Sequence, residues 1–129
     1  MDYKDLLVWQ ESRLLAKQIY VLSEKFPKEE IFGLTNQIRR AVVSVPSNIA
    51  EGYNRYSDKE FLHFLKISKG STAEVETQVI LAMDLCYISI KDGEEVLAQV
   101  TKVLRMLGSL IVTVKKRSEN KKIVAEGDT

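Results

Sequence analysis

The sequence predicts an all-α protein: an antiparallel up-down-up-down four-helix bundle with a proline-kinked second helix. Three observations predict it. Apolar residues recur at helical spacing nearly everywhere, and no alternating strand pattern appears. Only two prolines and six glycines occur in 129 residues, so extended loops are few. Four long periodic runs with short connections make consecutive helices antiparallel neighbours. With 45% apolar and 29% charged residues, the chain is one domain able to bury a core without disulfides or metal.

In the first run Val8, Leu15, Ile19, Leu22 and Phe26 share one face, flanked by Leu7 and Leu14, and Pro27 closes the helix. The second run, 31–56, is read as one helix. Ile31, Leu34, Ile38, Ala41, Val42, Val45, Ile49, Gly52 and Tyr56 keep a single register straight through "SVPSNIAEG". A turn would break that phase, so the reading is a kink at Pro46. Its ring removes one hydrogen bond and crowds the Val42 carbonyl, and Ser44 and Ser47 stand ready for freed backbone groups. The third run opens on a capping box, Ser57 with Glu60. It continues through Phe61, Phe64, Ser68, Ser71, Thr72, Val75, Val79, Ala82 and Cys86. In the fourth, Asp92 and Gly93 mark the start of the stripe Val96, Val100, Val103, Leu104, Leu107, Leu110, Ile111 and Val114. The bundle thus occupies 1–114. Residues 115–129, "KKRSENKKIVAEGDT", lose the period and are expected to be a basic, polar, disordered tail.

Several function classes are excluded or disfavoured. A net charge of +1 gives no general case for nucleic acid. The single cysteine, Cys86, excludes an intrachain disulfide and fits a reducing compartment. No leader pattern opens the chain, and no apolar run approaches the roughly 18 residues that span a bilayer. A cytoplasmic protein with no membrane partner is expected. Glu60 and His63 have the Glu-x-x-His spacing of di-metal bundles, but a lone histidine rules out two such motifs in one chain. Cys86 reads as a core residue. Ser71 lies in no nucleophile elbow, and "GSTAE" lacks the phosphate-loop spacing. No catalytic residue, metal or cofactor is expected.

Three sets of residues are candidates for function. If the chain reverses near Ser57, residues on the second and third helices whose numbers sum to roughly 114 lie level. Gln37, Arg40, Ser44, Asn48 and Glu51 then face Ser71, Glu74 and Gln78 in a polar seam, with Arg40 pairing Glu74 and Gly52 allowing close approach. The local basic excesses, Arg39, Arg55, Lys115, Lys116 and Arg117, are candidate nucleic-acid contacts, against a plainer reading of a structural arginine at 40 and a solvated tail. Finally, Trp9, Ala16 and Tyr20 recur at helical spacing off the main apolar face, with Val43 and Ala50 outside it on the second helix. A second apolar face carrying Trp and Tyr points to another chain, against an equally weighted plainer reading of an aromatic lid over the end of the bundle.

"LLVWQESRLLAKQIYVLSEKFPKEE", "QIRRAVVSVPSNIAEG", "GSTAEVETQ" and the closing leucine-rich helix resemble the 23S rRNA intervening-sequence proteins over about residues 3–114. That family is similar in fold to the accessory variability determinant protein of diversity-generating retroelements. The resemblance implies a small bacterial four-helix bundle, often a homopentamer, without a known enzymatic activity. The retroelement relatives are strongly basic and bind nucleic acid and a reverse transcriptase, and the balanced charge here departs from them. The expected function is a non-enzymatic, self-assembling interaction protein that contacts RNA, DNA or a nucleic-acid-processing partner. The alternative is a small-molecule binder or enzyme using the polar seam.

Overall fold

A computed structural model describes residues 1–127. Two short 3-10 turns, Tyr3–Asp5 and Lys28–Glu30, accompany four helices: α1 (Leu7–Ser23), α2 (Leu34–Tyr53), α3 (Asp58–Asp84) and α4 (Ile90–Gly127). α1 and α3 each pack against both α2 and α4, so the helices follow one another around the bundle in sequence order. Side-chain partners fix their directions. Tyr53 Oη donates to the Met1 carbonyl at one end of the α1–α2 pair, and Arg39 Nε donates to Ser23 Oγ at the other. Asp58 holds Arg117 where α3 starts, and Met83 meets Gly93 near where it ends. Glu11 holds Lys102 and Lys25 holds Asp92 across α1 and α4. Every neighbouring pair is antiparallel.

The core is built from the periodic positions. Val8, Leu15, Ile19, Leu22 and Phe26 are all buried, as are Ile38, Val42, Val45 and Ile49 of α2. On α3 Leu65, Val75, Val79 and Ala82 are fully buried, while the expected Phe64 is half-buried beside Leu65. Val96, Val100, Val103, Leu107 and Val114 complete the centre. Burying each such side chain contributes about 1.5–3 kcal/mol relative to leaving it in water.

α2 runs unbroken across Pro46. The proline has no N–H to donate, and its neighbours engage the backbone of that turn. Asn48 Nδ2 donates to the Ser44 carbonyl at 2.8 Å, and Ser68 Oγ, from α3, donates to the Val45 carbonyl at 2.9 Å. These bonds reach the Ser44 and Val45 carbonyls rather than the Val42 carbonyl that Pro46 leaves without its donor.

Four expectations are corrected. α2 is shorter than 31–56: a 3-10 turn follows Pro27, Gly33 caps the helix start, and Asn54 ends it, leaving Ile31 and Tyr56 exposed in connections. Cys86 is not a core residue. α3 stops at Asp84, and Cys86 sits exposed beyond it at φ 61°, in the left-handed region. The tail is not structureless, because α4 continues to Gly127. Its lysines, arginine and glutamates favour helix intrinsically, and Arg117 and Lys121 dock onto Asp58 at 2.8 and 3.1 Å. Asp128 and Thr129 lie outside the described residues. Last, α4 contains an 18-residue window of mean hydropathy 1.4, long and apolar enough by composition to cross a membrane. Along α4, however, Val96, Val100, Val103, Leu107 and Val114 are buried, Leu97, Leu104, Met106, Leu110 and Ile111 pack half-buried against the core, and Val112 is exposed, so the stretch is a core helix of the bundle.

Candidate functional site

The α2–α3 seam is the most polar part of the bundle interior. α2 and α3 approach closely at Gly52, where a Cβ would lie 2.6 Å from Phe64 Cβ. One step along, Ser68 is buried on the Val45 carbonyl, and Thr72 Oγ1 donates to the Ser68 carbonyl at 2.8 Å. Further on, Ser44 Oγ and Ser71 Oγ share a hydrogen bond of 2.9 Å, and Asn48 Nδ2 donates to Ser44 Oγ at 2.8 Å. Beyond the serines the seam opens into a hollow of about 430 Å³ lined by Asn36, Gln37, Arg40, Ala41, Ser44, Ser71, Glu74 and Gln78.

Six of the eight expected seam residues therefore line one hollow, and Asn48 supports it from beneath. Glu51 does not join them. It is exposed and pairs with Arg55, just past the end of α2, at 2.5 Å. The expected Arg40–Glu74 ion pair is also absent from the pairs among the described residues. Both side chains are exposed, and the hollow lies between their helices. Gln78 Oε1 is buried and has no hydrogen-bond partner among the described residues.

The basic candidates divide. Arg39 is the structural arginine, rather than Arg40. Its Nε donates to Ser23 Oγ at 2.8 Å, and its guanidinium lies 4.8 Å from the Tyr20 ring centroid. Arg55 is committed to Glu51 and stacks on Phe64 at 5.1 Å. Arg117 forks onto Asp58, whose side chain is only 13% exposed. Its hydrogen bond holds the Asp58 carboxyl below the usual carboxylate range, and Lys121 adds to the effect. Lys115 and Lys116 are exposed on α4. Of the residues considered for metal or catalysis, His63 is exposed and stacks edge-on against Phe64, and Glu60 completes the α3 cap with Ser57.

The expected aromatic stripe is largely engaged within the chain. Trp9 is half-buried, with Tyr3 edge-on at 5.4 Å and Arg13 at 5.6 Å. Ala16 is half-buried, and Tyr20 lies under Arg39. A different stripe is open. Leu7, Leu14 and Val21 recur every seven residues along α1 and are all exposed. They border two hollows in the α1–α4 seam. One, of about 620 Å³, lies against Leu6, Met106, Leu110 and Thr113; the other, of about 330 Å³, lies against Leu22, Val96 and Asp92. Between the hollows Glu11 clamps α4. Hydrogen bonds from Gln99 and Lys102 hold its carboxyl below the ordinary range. The seven-residue spacing was present in the sequence, but it reads there as the flank of the core stripe.

The profile of the 23S rRNA-intervening sequence protein family matches residues 4–109. Among solved structures, the chain is similar to a protein of unknown function from the S23 ribosomal protein family of Bacteroides thetaiotaomicron. The two are 25% identical with a TM-score of 0.76, over 81% of this chain and 98% of that one. A search of curated proteins gives no match. Fold, helix order and sequence profile agree: the chain belongs to the 23S rRNA-intervening sequence protein family.

Proposed function

We propose that the protein is a non-enzymatic, self-assembling interaction module of the bacterial cytoplasm. The observation that carries this reading is the open stripe Leu7, Leu14 and Val21 beside the α1–α4 hollows. The occupant is a second copy of the chain. α1 offers a stripe at coiled-coil spacing, and beside it α4 lines the larger hollow with the half-buried Met106 and Leu110. Covering the exposed half of each stripe residue contributes about 1 kcal/mol, and a closed ring repeats the gain at every interface. Five subunits is the number implied by the resemblance to pentameric bundles.

Assembly also brings the exposed lysines of α4, including Lys115 and Lys116, together around a symmetry axis. A repeated basic patch suits an RNA or DNA backbone, or a partner that handles one, and such binding weakens steeply with salt.

Two substitutions test the interface. Leu14→Glu places a charge in the open stripe and is expected to dissociate the assembly while leaving the helical signal intact. Tyr20→Glu, on the face covered by Arg39, is expected to leave the mass unchanged. The reverse result would move the interface to the aromatic face. A mobility-shift assay at about 50 mM salt tests the nucleic-acid arm: loss of binding in a Lys115→Glu, Lys116→Glu protein supports it, and no shift with any RNA or DNA points to a protein partner.

A further inference from the structure

We propose that the hollow at the open end of the α2–α3 seam binds a small zwitterion of the α-amino acid class. The seam residues form three levels, each about one helical turn from the next. At the first, Ser44 and Ser71 touch. At the next two, Arg40 with Glu74 and Gln37 with Gln78, the partners line the walls of the hollow without closing on each other.

The chemistry of the lining selects the ligand. Arg40 and Glu74 are opposite charges on facing helices, and neither takes part in an ion pair among the described residues. A simple anion on Arg40 would sit beside the Glu74 carboxylate, and a simple cation on Glu74 beside the Arg40 guanidinium. A molecule carrying both signs satisfies both. Glu74 is the acceptor for the ammonium group, and Gln78 adds an uncharged amide to the same wall. The serine pair offers the complement. Ser44 Oγ accepts from Asn48, one hydroxyl hydrogen bridges the two serines, and the other hydroxyl hydrogen is free to donate to a carboxylate. A volume of about 430 Å³ lies toward the small end of ligand sites and suits a free amino acid. This site is separate from the α1–α4 face and does not depend on assembly.

The test is an NMR titration of the ¹⁵N-labelled protein with L-serine, L-glutamine and L-aspartate, with acetate and trimethylglycine as controls. At least one amino acid is expected to give saturable shifts at Ser44, Ser71 and the side-chain amides of Gln37 and Gln78. Acetate lacks the cation and trimethylglycine lacks the N–H donors, so both are expected to fail. Arg40→Gln and Glu74→Gln change exposed residues and are expected to keep the fold while each weakening binding at least about tenfold. Three results would overturn the site: no saturable shift with any of the three amino acids at tens of millimolar, acetate binding equally well, or unchanged affinity in both variants.

Discussion

At the scale of single residues, three positions link sequence to stability. At Gly52 α2 and α3 come close together. A Cβ there meets Phe64 Cβ at 2.6 Å and Phe61 Cδ1 at 3.1 Å, atoms close to the α3 backbone that cannot swing away. Gly52→Ala is expected to cost about 1–3 kcal/mol in urea unfolding. Gly93→Ala should cost less, because the added methyl meets the flexible end of Met83. Arg39 joins α2 to α1 through Ser23 and the Tyr20 ring, and Arg39→Ala is expected to cost about 1–2 kcal/mol. Asp58 gives a pH signature. Its folded pKa is depressed, chiefly by the hydrogen bond from Arg117. The pair therefore contributes stability above the unfolded value near 4, and that contribution is lost as pH falls through the folded value. Asp58→Asn should unfold more easily than wild type at pH 7, and the difference should close below about pH 4. A gap that persists at pH 2 would count against the clasp.

At the scale of elements, α2 shows what the sequence could and could not say. The unshifted register of Val42, Val45 and Ile49 carries the helix through Pro46, as the structure has it. Pro46→Ala restores a donor to the helix and is expected to raise stability by on the order of 1 kcal/mol without changing the fold. A lower midpoint in thermal unfolding would show that the proline is favourable where it stands. The level rule across the α2–α3 seam placed Ser44 opposite Ser71, and they touch. It could not show that the Arg40–Glu74 level stays open, because the distance between two helices depends on packing at every level. Nor could periodicity separate Arg39 from Arg40. The two lie about 100° apart on the wheel, and the choice depends on which flank α1 occupies. The end of α4 was missed because its helix past Val114 buries no apolar stripe. Asp58, 59 residues away in sequence, holds that stretch instead. Cys86 was misplaced because α3 ends two residues before it, and the chain then turns left-handed.

At the scale of the molecule, the central claim is assembly. Bundle core and helix order account for Val8, Leu15 and Ile19, but they leave Leu7, Leu14 and Val21 in water. They also leave Met106 and Leu110 of α4 only half-buried at the wall of the larger α1–α4 hollow. Such a surface on a 14.7 kDa chain is explained most simply by more chains of the same kind. The most direct measurement is the mass of the purified protein by light scattering on a sizing column, at tens of micromolar. The account predicts one species at a whole-number multiple of 14.7 kDa, reduced toward that value by Leu14→Glu. A single peak at 14.7 kDa for the unmodified protein would contradict it.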